Sequence, residues 1–123
     1  MALDYWIEAH EGVLTVTTSG FDESVDEAVA YGEKIIEACN EFKCSRILVD
    51  ESRMTGVLDK IGQYELVRRL AMNAPHDLKV AMVVNQDNYQ DTSFGTLVAE
   101  NRGYHIKAFT ELADAQEWLA KQS

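Results

Sequence analysis

The chain is poor in the residues that usually announce a chemistry. It has one proline, two cysteines and three histidines in 123 residues, and eleven Lys and Arg against twenty-one Asp and Glu. Cys39 and Cys44, with no Cys or His cluster beside them, cannot build a tetrahedral zinc site, so no metal is expected. Cys39 reads as a core residue and Cys44 as part of a short loop. His10, His76 and His105 share no HxxxH or other short ligand spacing, and each reads as a surface or edge residue. The shortage of cations leaves a formal net charge of −10. Nucleic-acid binding draws much of its affinity from basic residues that release counterions, so nucleic acid is excluded as a partner. Long apolar runs are also missing. The longest, Val80 to Val84, is far too short to cross a bilayer, and no membrane span is expected. The opening MALDYWIEAHE places acids where a secretory leader needs basic residues and then an apolar block, so a cytoplasmic protein is expected.

What is present suits one soluble α/β domain over residues 1–123. An apolar share of 46% with 26% charged residues is that of a globular chain long enough to close a single core. Leu3, Tyr5 and Ile7 alternate with polar neighbours through Glu8. Val13 to Thr18 is a second β-rich run, and Ala9 to Gly12 lies between them as turn material, which predicts a hairpin. After Gly20, a cap at Asp22 or Ser24 precedes Val25, Ala28, Val29, Gly32, Ile35, Ile36 and Cys39 at helical spacing. Ile47 to Asp50 and Leu78 to Val84 read as buried strands of a parallel sheet. Between them Ile61, Tyr64, Val67, Leu70 and Ala71 mark a helix from about Asp59 to Asn73, stopped by Pro75. Phe94, Leu97 and Val98 mark a third helix with Gly103 as its left-handed cap. His105 to Phe109 is a last strand, and Thr110 is expected to cap a final helix through Leu112, Ala115, Trp118 and Leu119. The expected fold is therefore a mostly parallel five-stranded sheet with an N-terminal hairpin and four helices on its two faces, in the order β-β-α-β-α-β-α-β-α. Val29, Ile36, Leu48, Val67, Val80, Met82, Leu97 and Leu119 should be buried. Tyr64, Tyr89, Phe94 and Trp118 read as core rather than as a stacking platform.

That order, together with TSGFDESVDEAV after the hairpin, ILVDESRMTG at the third strand and IKAFTELADAQEWL at the end, resembles the SpoIIAA-like, or STAS-like, proteins. The resemblance spans nearly the whole chain. It implies a non-enzymatic regulatory module with a protein partner, since the family includes anti-sigma-factor antagonists switched by phosphorylation. It also implies a structural relation to lipid-carrying domains of the CRAL-TRIO type. In the antagonists the segment after the third strand ends Asp-Ser-Ser-Gly, and a serine there accepts phosphate. The matching residues here are Asp59-Lys60-Ile61-Gly62, so the usual acceptor is missing. A second resemblance, of Asp50 and Lys107 to the phosphoacceptor and lysine of response-regulator receivers, fails on the acid pair that receivers need after their first strand.

The candidate site is the polar end of the third strand and the connection after the fourth: Asp50, Ser52, Arg53 and Thr55 with Asn85 and Asp87. Open α/β folds keep ligands at the C-terminal ends of parallel strands. Arg53 is the cation there that could hold a carboxylate or phosphate, against the structural reading of an ion pair with Glu51 or Asp87. Asp50, Glu51 and Asp87 could be imagined as a metal or acid/base cluster, but acids at strand ends are common caps and turn formers. Ser52 has no glycine-flanked elbow and no His placed as its base, so a hydrolase triad is not expected. The residues favour an interaction module docking a protein around the third strand and second helix, with no cofactor. The alternative is a carrier of a small apolar or lipid-like ligand, which requires a cavity beneath the second and third helices. An enzyme using Asp50, Ser52 and Arg53 comes third.

Overall fold

The hairpin of β1 (Leu3–His10) and β2 (Val13–Phe21) turns at Glu11 and Gly12, whose φ values of 52° and 80° give the left-handed pair that a two-residue hairpin needs. The computed structural model describes residues 2–121. After the hairpin come α1 (Val25–Phe42), β3 (Arg46–Gly56), α2 (Lys60–Leu70), β4 (Lys79–Val84), α3 (Gln86–Asn101), β5 (His105–Phe109) and α4 (Leu112–Ala120), in the predicted order. The sheet runs β1-β2-β3-β4-β5, antiparallel between β1 and β2 and parallel thereafter. Every parallel crossover joins neighbouring strands in the same direction. Right-handed connection therefore stacks α1, α2 and α3 on one face and leaves α4 for the other. The strand order never reverses, so the fold has no topological switch point of the kind that opens a ligand crevice at strand ends.

Alternation along the strands divides the core in two. Ile47 and Val49 of β3 join Leu14, Val16 and the α1 residues Tyr31, Ile35 and Cys39 on one face. Leu48 joins Ala81, Val83, Ala115 and Leu119 on the other, beneath α4. Cys44 sits in the α1–β3 loop and is nevertheless buried. Three caps set helix starts: Ser24 Oγ accepts from Glu27 N at 3.1 Å, Asp59 Oδ1 from Gly62 N at 2.9 Å, and Asn85 Oδ1 from Asn88 N at 3.1 Å. Thr110 does not cap α4. The helix starts at Leu112, which makes Glu111 the cap residue, without a side-chain bond, and leaves Thr110 one position too early. The far end of α4 is held by Lys79, whose Nζ donates to the carbonyls of Trp118 and Lys121 at 2.8 and 2.7 Å.

The expected core is only partly closed. Val29, Leu48 and Leu119 are buried, but Ile36, Val67, Val80 and Met82 are half-buried, and Leu97 is 53% exposed. Tyr64 and Ile61 likewise face outward. On α3 the inner face is built from Asn88, Thr92, Gly95, Thr96 and Ala99, so small and polar residues point at the sheet and the large Leu97 points away. A helix that offers small residues to the layer below it leaves space there.

Candidate functional site

The residues singled out at the strand end meet, but mostly to shape the backbone. β3 continues past Asp50 to Gly56, and its register with β2 slips between Thr17↔Asp50 and Ser19↔Arg53, so three steps on β3 match two on β2. This bulge is pinned by Asp50 Oδ1, which accepts from Ser52 N at 3.0 Å and Ser52 Oγ at 2.7 Å. Asn85, besides capping α3, donates through Nδ2 to the carbonyls of Ser52 and Met54 at 3.3 and 2.8 Å, and Asn88 Nδ2 donates to the same Met54 carbonyl at 3.1 Å. Thr55 Oγ1 donates to the Gly20 carbonyl at 3.2 Å. Arg53 and Asp87 are exposed, and neither makes an ion pair among the described residues. The expected Arg53–Glu51 pair is absent for a geometric reason. Glu51 keeps the inward phase of Ile47 and Val49, and the bulge then resets the alternation, so that Ser52 and Arg53 face solvent and Met54 turns inward. Asp50, Glu51 and Asp87 consequently form no common cluster, and among the described residues no group of three acidic, His or Cys side chains could hold a metal ion.

An apolar concavity lies on the helical face instead. α2 packs against α1 and α3 and stands off the strands. Its two contacts are close because each meets a glycine: a Cβ on Gly32 of α1 would lie 2.7 Å from Leu70 Cδ1, and a Cβ on Gly95 of α3 would collide with Gln63 Oε1. Held by its edges, α2 roofs a chamber of about 200 Å³ whose walls include Ile36, Leu66, Val67 and Ala99 and whose floor includes Val49, Val80, Met82 and Ile106. The half-burial of Ile36, Val67, Val80 and Met82 follows, because they face this space. For scale, an apolar cavity of about 150 Å³ admits benzene.

One part of the chamber lining is polar. Glu51, 5% exposed, reaches it from the bulge, and its Oε2 accepts from Tyr31 OH at 2.8 Å, while that hydroxyl lies 2.6 Å from Thr18 Oγ1. Asp22 lines it from the β2–α1 loop, its Oδ2 accepting from Leu58 N at 3.3 Å, and Gln63 Nε2 donates to the Leu58 carbonyl at 3.1 Å. Burial raises the Glu51 carboxyl from 4.5 to about 7, against the Tyr31 hydrogen bond and helped by the nearby charges of Asp22 and Asp50. Burial likewise raises Asp22 from 3.8 to about 6, opposed by the Leu58 N–H and reinforced by Glu27. Tyr31 is pushed far above its usual range by burial and by Glu51. Thr92 also lines the chamber, and its Oγ1 is buried with no hydrogen-bond partner.

Of this polar cluster, Glu51 drew attention in the sequence as a strand-end acid and Asp22 as a candidate helix cap, a role that Ser24 takes instead. Tyr31 carries a legible signal: it follows Ala28 at i+3 and precedes Ile35 at i+4, on the inner face of α1. Nothing in the one-dimensional pattern marks Thr92 or Asp22 as sharing a chamber with Glu51.

No family model matches the chain, and no curated protein matches it in sequence. Among solved structures it is similar to an anti-sigma factor antagonist from Mycobacterium paratuberculosis, with 16% identity and a TM-score of 0.65 over 97% of this chain and 95% of that one. It is also similar to an uncharacterized protein of the DUF3478 family with a SpoIIAA-like fold from Shewanella loihica, with 16% identity and a TM-score of 0.59 over 97% of this chain and 94% of that one. The order of elements, the singly wound sheet and these two likenesses together give the chain the SpoIIAA-like, or STAS-like, fold.

Proposed function

We propose that this chain is a non-enzymatic STAS-like regulatory module that works by holding a small, largely apolar molecule in the chamber beneath α2. The observation that supports this is the chamber itself, roofed by a helix that touches its neighbours through Gly32 and Gly95 and floored by half-buried Val80 and Met82. Well-packed interiors do not leave such space without an occupant or a cost. The test uses the neutral fluorophore N-phenyl-1-naphthylamine. The parent should enhance its emission saturably, and Val80→Phe, which puts a ring into the chamber, should abolish the enhancement while keeping the parent's circular dichroism spectrum. No enhancement, or enhancement unchanged by Val80→Phe, refutes the reading.

A protein partner is the second reading, favoured by the outer side of α2. Ile61, Tyr64 and, just past the helix, Met72 recur there at helical spacing and are 82%, 46% and 73% exposed. The fold likeness to an anti-sigma factor antagonist agrees with it. The two readings share α2: a ligand that changes how the roof sits would be read by a partner on its outside. Phosphate has no acceptor in the first turn of α2, because Lys60 and Ile61 occupy it. Affinity capture with Ile61→Asp as the control tests this reading, which fails if the same proteins are recovered with both forms.

A further inference from the structure

We propose that the polar part of the chamber is a receptor for an ammonium group, so that the ligand is a small apolar amine rather than a fatty acid or a phosphate ester. The inference rests on the reading of the chamber as a ligand site and concerns what its polar residues select. An ammonium brings three N–H donors and needs three acceptors. Three residues on separate elements line the chamber, and each carries an oxygen without a hydrogen bond among the described residues: Glu51 Oε1, since Tyr31 donates to Oε2; Asp22 Oδ1, since Leu58 N donates to Oδ2; and the buried Thr92 Oγ1. Thr92 is 3% exposed, so its hydroxyl is screened from bulk solvent. A buried polar group left unpaired is costly, so the Thr92 hydroxyl calls for a partner.

The charge of the lining points the same way. Asp22 and Glu51 bring carboxyls, and among the described residues no Lys or Arg lines the chamber to balance them. His105 is at its border, but its ring packs edge-on against Trp118 on the α4 side of the sheet. Of the two tyrosines in the lining, Tyr31 donates to Glu51 and Tyr104 places its hydroxyl against the carbonyls of Ala71 and Ala74. An anionic head would enter a site already holding two acids, whereas a cation supplies the missing counter-charge. The proton balance closes without a co-reactant: an arriving alkylammonium keeps its own proton and forces the Glu51 carboxyl to release any it carries to solvent, while a neutral amine takes the Glu51 proton onto nitrogen.

The experiment compares three probes of one shape: n-hexylamine, 1-hexanol and hexanoate, each titrated calorimetrically into the parent, Glu51→Gln and Thr92→Val at neutral pH. In the parent the amine should bind about tenfold or more tightly than the alcohol, the difference a charge-assisted hydrogen bond supplies, and hexanoate should give no heat. Glu51→Gln should erase the preference for amine over alcohol. Thr92→Val, nearly the same shape, should weaken the amine roughly fivefold while the melting temperature stays close to the parent's. Equal binding of amine and alcohol, or preference for hexanoate, overturns the ammonium assignment and leaves the chamber reading intact. If none of the three binds and the neutral fluorophore also gives no signal, both fail.

Discussion

Replacing Glu51 with Gln should stabilise the protein, and more so as the pH rises. The carboxyl is buried, with its pKa raised from 4.5 to about 7, so the folded state holds its proton more tightly than the unfolded chain does. For such a group the favourable contribution is complete below the unfolded value and is lost as pH climbs through the folded one. The shift amounts to about 3 kcal/mol in full at 1.36 kcal/mol per unit. Integrated over the interval from about pH 5.5 to about pH 8.5, the loss is about 2 kcal/mol. Gln keeps the shape and an oxygen to accept from Tyr31 OH, and it carries no charge at any of these pH values. Urea denaturation at the two pH values is the assay. The parent's midpoint should fall by about 1 M relative to the variant's, given an m-value near 2 kcal/mol per M. The variant retains the other acids of this chain of net charge −10, so general charge repulsion cancels in the comparison. Parallel pH profiles for parent and variant would refute the placement of Glu51 as a buried acid without a counter-charge.

Three further outcomes are expected. Asn85→Ala removes the α3 cap and both bonds to the β3 extension, so it should cost about 1–3 kcal/mol in chemical denaturation, with the loss of exchange protection centred on Met54 to Gly56. Gly95→Ala places a methyl against Gln63 and should lift α2, costing about 1–3 kcal/mol less whatever helix propensity returns, and should alter fluorophore binding in the chamber. Arg53→Ala should leave stability within about 0.5 kcal/mol while weakening capture of a protein partner, and an unchanged set of captured proteins would make Arg53 a solvated bystander.

The elements were legible in the sequence because each carries its own local signal. Val13 to Thr18 alternates, Ile47 to Val49 is apolar on both faces, and Ser24, Asp59 and Asn85 stand at helix starts with the oxygen that a cap requires. The site was less legible, for two physical reasons. Glu51 lies in phase with Ile47 and Val49 and so belongs to the interior rather than to the expected outer cluster, and the β3 bulge inserts one residue that turns Arg53 outward, away from its supposed partner. The chamber is a deficit of volume rather than a motif. It arises because α3 turns Thr92, Gly95, Thr96 and Ala99 inward, and a reading that ranks positions by apolarity assigns that face to Leu97. A row of small residues at i, i+3, i+4 and i+7 is helical periodicity as surely as a row of leucines is. What distinguishes them is that leucines fill the layer beneath, whereas small residues either draw the backbones together or leave a space. Here both happen on one helix pair: Gly95 meets Gln63 of α2, and Thr92 and Ala99, on either side of that contact, line the chamber.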